Sequence, residues 1–222
     1  MRISHLTQPL NRIWFRHKYL LILIGITLVM AVGVLLAFAT MGSNIAYGGA
    51  IIGVPLSDEG MEYLQLGYAQ EIGAVTQRKK VTAVEISLDI PAEDGTLHTD
   101  YSGAVYALTL VANREADYFL LNEEALKLFI PQNMFWDLRE LLPPAEYETM
   151  ADRIVKSLPL DEEGKPTVEE AFPVAINISE LPFIQDCVTG DEPVYLCFIA
   201  SAPHFELLAD FWEYLKKWTP SQ

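Results

Sequence analysis

From Tyr19 to Met41 the chain carries no Asp, Glu, Lys, Arg, Asn or Gln. Backbone N–H and C=O groups in hydrocarbon have no water to bond, so such a run crosses a bilayer as a helix. At 1.5 Å per residue, Leu20 to Ala39 reaches about 30 Å, the thickness of the apolar layer. Arg2, Arg12, Arg16 and Lys18 precede the run with no acid among them, and the first charge beyond it is Asp58. Lys and Arg concentrate on the cytoplasmic side. The expected topology therefore has a basic cytoplasmic tail at 1–18, a transmembrane helix at 19–41, and residues 45–222 outside the cell membrane. The competing reading is a cleaved signal peptide, because Ala37-Phe38-Ala39 has the form of a cleavage site. The run, at about 20 residues, exceeds the roughly 7–15 of a signal's apolar core, which favours an uncleaved single-pass anchor. No Cys directly follows the run to accept a lipid.

Beyond the run lie eleven Lys and Arg against thirty Asp and Glu, a formal charge of −19. Nucleic acid needs a cationic face that releases counterions, so it is excluded as a partner, and the same balance argues against docking on anionic headgroups. A solvated acidic surface is the simpler reading. Cys187 and Cys197 are the only cysteines. Two cannot staple a small disulfide scaffold. Cys197 falls in the apolar run Val194 to Ala200 and reads as a buried small side chain, with a Cys187 pairing left open.

Periodicity fixes most of the rest. Ile45 to Val54 reads as a strand emerging close to the bilayer, stopped at Pro55. Met61, Leu64, Tyr68, Ile72 and Val75 recur at helical spacing after Ser57-Asp58-Glu59-Gly60. Val84, Ile86, Leu88 and Ile90 alternate with polar residues as in a strand buried on one face. Tyr101, Val105, Leu108 and Ala112 keep helical spacing, and Asp117 to Leu121 is a compact strand-like run. Glu123 to Ile130 reads as a short helix, and Pro143 opens another through about Ile154. Phe172 to Ile178 and Val194 to Ala200 read as strands joined by a loop, and His204 to Trp218 as a buried terminal helix. Strand, helix, strand, helix, strand is the order of an α/β domain. The expected fold is an N-terminal transmembrane helix followed by a mixed, mostly parallel sheet flanked by helices.

Three segments resemble the extracellular solute-binding proteins of ABC importers, with the type II periplasmic-binding fold. They are Ala116 to Asn122 with Trp136-Asp137-Leu138, Phe172-Pro173-Val174-Ala175-Ile176, and Ile199-Ala200-Ser201 leading into Ala209 to Leu215. The resemblance implies a ligand-facing loop after the first segment. The chain departs from that family in one respect. Only about twenty residues separate the helix expected to end near Arg153 from Phe172, too few for the second lobe that family inserts there. The resemblance is therefore to one lobe, in a reduced membrane-anchored form.

No phosphate-binding loop, nucleophile elbow, paired Cys-x-x-Cys or zinc-protease motif occurs. No cofactor or metal is expected. His98, near Asp94 and Asp100, has no second histidine or cysteine at ligand spacing and reads as a solvated loop residue. Ligands of open α/β sheets bind beyond the carboxyl ends of strands, which singles out Asn122, Glu123 and Trp136, with Asn177 as a further amide. The structural alternatives are an N-cap for Asn122, core for Trp136, and a loop hydrogen bond for Asn177. The expected function is a membrane-anchored, noncatalytic binding or interaction module beside a transporter permease or sensor. The alternatives are a small-ligand receptor completed by a partner chain and, with least support, an extracytoplasmic hydrolase.

Overall fold

Seven of the eight residues of β1 (Ile45–Ile52) are buried, as a strand covered on both faces must be. A computed structural model describes Thr27, Met30, residues 45–91, 97–99 and 101–158, Lys165, and residues 170–220. Two compact units divide at Asn44. In the first only Thr27 and Met30 are described, both helical, so the expected span at 19–41 lies almost wholly outside the described residues. Among the described residues no helix is long and apolar enough to cross a membrane, and the structure lends that span no support.

In the second unit β1 is followed by a continuous helix, α1, made of Asp58–Glu62, a π-helical turn Tyr63–Gly67, and Tyr68–Glu71. Ser57 caps it by accepting a hydrogen bond from the Gly60 N–H. Then come β2 (Lys80–Ile86), β3 (Asp89–Pro91), β4 (Leu97–Thr99), α2 (Tyr101–Ala112), β5 (Tyr118–Leu121) and α3 (Glu123–Phe129). The chain continues through α4 (Leu138–Leu141), α5 (Pro144–Thr149), β6 (Ile154–Ser157), β7 (Phe172–Asn177), α6 (Pro182–Cys187), β8 (Tyr195–Phe198) and α7 (Leu208–Lys216).

The main sheet has six strands in the order β2-β1-β5-β8-β7-β6, with β3 and β4 forming a separate two-stranded ribbon. It is mixed and flanked by helices, as expected, but it is not mostly parallel. β1 runs parallel to β2 and β5, while β5–β8, β8–β7 and β7–β6 are antiparallel. The strand-helix alternation supplies crossovers only as far as β5. Beyond it the chain passes to the far edge at β6 and returns through β7 and β8 to β5, each antiparallel to its neighbour, which needs no parallel crossover.

Alternate side chains of the strands feed two cores. Tyr47, Ile51, Tyr118, Leu120, Leu196 and Phe198 pack with α1, α6 and α7 on one face. Ala50, Ile52, Phe119, Leu121, Cys197 and Ile199 pack with α2 and α3 on the other. Cys187 and Cys197 are both free and belong to opposite cores, so the sheet itself separates them.

Several expectations fail for identifiable reasons. Val75, placed on the buried stripe of α1, is exposed, because that helix ends at Glu71. Asp89 and Ile90 leave the second strand and pair with Leu97–Thr99 instead. The helix expected through about Ile154 gives way there to the edge strand β6, which pairs with β7, a tertiary pairing that a four-residue segment cannot announce by pattern. The loop expected around Pro182 contains α6, with proline in its first turn. Tyr101 and Val105 of α2 face outward, and Ala104, Ala107 and Leu110 face in. A helix apolar all round has no unique phase, and small side chains allow the closer approach. Gly103 sits where a Cβ would fall 2.5 Å from the Ser87 carbonyl oxygen.

Candidate functional site

The carboxyl ends of β1 and β5 meet the connection between α6 and β8 in an open pocket of about 370 Å³. It is lined by Gly53, Pro55, Asn122, Glu124, Thr189 and Glu192, among others. Gly53 has φ 68°, and a Cβ there would lie 2.8 Å from the Asn122 side chain. Glycine thus permits both the turn out of β1 and the close approach of Asn122. The facing wall is fixed by backbone hydrogen bonds from Thr189 N to Pro55 O (3.0 Å) and Ser57 N to Cys187 O (2.7 Å). A second hollow of about 450 Å³ shares Gly53, Val54 and Pro55 and extends along Glu85 to Leu88.

Asn122 does two things. Its Oδ1 accepts from Ala125 N at 2.9 Å, capping α3, and its Nδ2 donates to Glu192 Oε2 at 3.3 Å across the pocket. Asn122→Ala should therefore cost about 1 kcal/mol as a lost cap, while Asn122→Asp keeps the cap and sets a carboxylate against Glu192. Denaturant melts in which Asn122→Asp keeps wild-type stability while Asn122→Ala loses it would show that the cap, and not the cross-pocket contact, is all that matters.

The other sequence candidates disperse. Glu123 points away from the pocket and pairs with Lys127 in an exposed i,i+4 bridge of 2.6 Å, while its neighbour Glu124 takes the lining position. Asn177 lies at the same sheet end, since it pairs with Tyr195 and Tyr195 with Leu121. Its Oδ1 is engaged by Ser179 N (3.0 Å) and Ser179 Oγ (2.7 Å), and that hydroxyl accepts from Val194 N. It clasps a loop. Trp136 is at the opposite end of the sheet, where its backbone N–H donates to Phe198 O and its ring packs 4.5 Å from Phe205. His98 is described in β4, whereas Asp94 and Asp100 lie outside the described residues. Among the described residues no group of three or more His, Cys, Asp or Glu is arranged to hold a metal.

The opposite end of the sheet contains a polar centre that periodicity did not single out. Asp117 is fully buried, the one buried charged side chain among the described residues. Its carboxylate accepts from Gly48 N (2.8 Å) and His204 N (2.9 Å), and the His204 ring Nδ1 lies 3.0 Å from Oδ2. An ionised carboxylate can only accept, so Nδ1 carries the proton in this contact. The hydrogen bond to Asp117 raises the His204 pKa above its ordinary value, burial opposing it. Tyr47 and Tyr118 stack nearby at 5.5 Å, and burial drives both phenols well above their usual range. Neither hydroxyl has a hydrogen-bond partner among the described residues. The only hint in the sequence was a lone Asp at the head of an apolar run.

Compared with known protein families, characterised proteins and solved structures, the chain matches none of them.

Proposed function

We propose that this chain is a membrane-anchored, extracytoplasmic, noncatalytic interaction module, built like one lobe of an importer's solute-binding protein and placed beside a permease or sensor. The observation that carries the interaction role is the outer face of α2. That helix has no charged residue over its twelve positions, and Tyr101, Val105 and Tyr106 are 68 %, 61 % and 47 % exposed. A helix apolar on both sides covers one face with its own core and offers the other to a partner. The anchor rests on the apolar run and on the basic tail ahead of it.

A photo-crosslinker at Val105 in native membranes is expected to give a discrete adduct with another membrane protein. Absence of any adduct at Val105 would remove the basis for this role. One observation favours a second reading, a small-ligand receptor completed by a partner. The pocket beside Asn122 has a volume in the range of small-molecule sites, about 300–1,000 Å³, and presents Glu124, Glu192 and Thr189. Under that reading an oligoamine raises the melting temperature saturably, and Glu124→Gln with Glu192→Gln abolishes the shift.

A further inference from the structure

The net charge of −19 beyond the apolar run hides an uneven distribution of cations. Of the eleven Lys and Arg beyond the apolar run, five have their carboxylates in place: Lys127 with Glu123, Arg139 with Asp137, Arg153 with Glu180, Lys216 with Glu146 and Glu213, and Lys217 with Glu71. With nearly three acids for every base, a cation left without a carboxylate is the exception. Arg78, Lys79, Lys80 and Arg114 are such exceptions among the described residues, and all four are exposed. Lys156 is another, but it stands apart from these four, on β6 at the far edge of the sheet.

The four surround the beginning of β1. Lys80 pairs in register with Ile45, and neighbouring strands lie about 4.8 Å apart. Arg78 and Lys79 immediately precede it. Arg114 precedes Glu115, whose carbonyl oxygen occupies the space where a Cβ on Gly48 would fall. Arg78 and Arg114 both have positive φ, 57° and 58°, each at the turn that follows a helix, so the two turns open at the same end of the sheet. Lys79 lies close enough to His204 to act on its protonation. Two apolar side chains stand out of this end as well, Val75 at 56 % and Phe205 at 43 % exposure. The acids at this end are Glu115, Glu206, Asp210, Glu71, which is held by Lys217, and the buried Asp117, which is engaged by His204; the four cations still outnumber the carboxylates left without a basic partner, Glu115, Glu206 and Asp210.

The sequence just ahead of β1 says what this edge meets. Residues 42–44 are all that separate Met41, the end of the apolar run, from Ile45. Four extended steps span at most about 14 Å, so the start of β1 cannot stand far from the surface of a bilayer holding that run. We infer that Arg78, Lys79, Lys80 and Arg114 form a collar that binds the phosphate headgroups of anionic phospholipid in the leaflet from which the chain emerges, with Val75 and Phe205 entering the interface between them. The inference rests on the proposed membrane anchor. It restores, for one edge, the lipid docking that the net charge argues against for the domain as a whole. Cations near such a surface act additively and within a Debye length, so four gathered at the start of β1 bind headgroups together.

The test uses the full chain carrying an environment-sensitive dye on Val75→Cys, both native cysteines being buried. It is reconstituted in phosphatidylcholine vesicles with and without roughly 30 mol % phosphatidylglycerol, and quenching by lipid-borne nitroxide is read. Phosphatidylglycerol is expected to raise quenching about twofold, an increase lost in roughly 0.5 M salt. Combining Arg78→Asn, Lys79→Gln, Lys80→Gln and Arg114→Asn should remove the increase while flotation with the vesicles is unchanged, asparagine being chosen for the two positive-φ positions. If that variant does not fold, Lys79→Gln with Lys80→Gln alone should remove about half of it. Quenching insensitive to phosphatidylglycerol, or equal in wild type and variants that float, overturns the collar and leaves the anchor standing. A wild-type chain that fails to float overturns the anchor and the collar together.

Discussion

Asp117→Ala is expected to destabilise the α/β unit that begins at Ile45 by about 3–5 kcal/mol, the scale of breaking a buried hydrogen-bonded charge pair. The side chain is fully buried and serves three donors at once, the backbone N–H of Gly48, that of His204, and the His204 ring. Truncation leaves each donor unpaired, at about 1–3 kcal/mol where water cannot reach. Asp117→Asn should fall between, because its amide nitrogen faces an N–H that needs an acceptor. The Asp117–His204 contact also sets a pH dependence. The folded His204 pKa is raised above 6.5 by the hydrogen bond to Asp117. Its stabilisation is therefore complete below the unfolded value and disappears as pH rises through the folded one. Wild type should melt higher at about pH 6 than at about pH 8, and both His204→Ala and Asp117→Ala should flatten that difference. Identical slopes in all three proteins would assign the effect to other groups.

The same residues show how much of this architecture is legible from sequence. Period-two and period-3.6 patterns located most strands of the main sheet and most of the longer helices, because their burial is one-sided or complete and the pattern records it. They could not orient β7 and β8, since strand direction depends on the connections and those hold a short helix, α6, behind a proline. They could not phase α2, whose apolar residues surround the axis. Of the site, Asn122 was legible because a polar residue after a buried strand is a local feature. Glu192 and Thr189 were not, because they come from a loop seventy residues away and meet Asn122 only through the β5–β8 pairing. Asp117 and His204 are farther apart still, at 87 residues. The collar is a similar case. Arg78 to Lys80 form a visible basic run, but only the parallel register of β1 with β2, and the approach of Glu115 to Gly48, bring Arg114 beside them.

That approach makes Gly48→Ala the second large expected effect, about 3 kcal/mol or more of lost stability. A Cβ at Gly48 would stand 2.0 Å from the Glu115 carbonyl oxygen, which is backbone and has no rotamer to move. Gly48 also exchanges two hydrogen bonds with Asp117, donating to its carboxylate at 2.8 Å and accepting from its backbone N–H at 2.7 Å. Displacing β1 to relieve the clash breaks the buried anion's contacts as well. Gly49→Ala tests the neighbouring position, where the Cβ would enter the Tyr118 ring at 2.2 Å. That ring is wedged between Tyr47 and Phe211, with centroids 5.5 and 4.2 Å away, so it too has nowhere to go. Gly190→Ala is the contrast: its φ is 114° but no atom lies within 4 Å of the added carbon. Its cost is backbone strain alone, about 1–3 kcal/mol, without disturbing Asp117. Urea unfolding of the three variants should leave Gly190→Ala the most stable and Gly48→Ala alone with the flattened pH dependence of Asp117→Ala. If Gly48→Ala instead keeps wild-type stability, β1 does not lie against the Glu115 turn, and Arg114 cannot then stand beside Lys80 at the start of the strand.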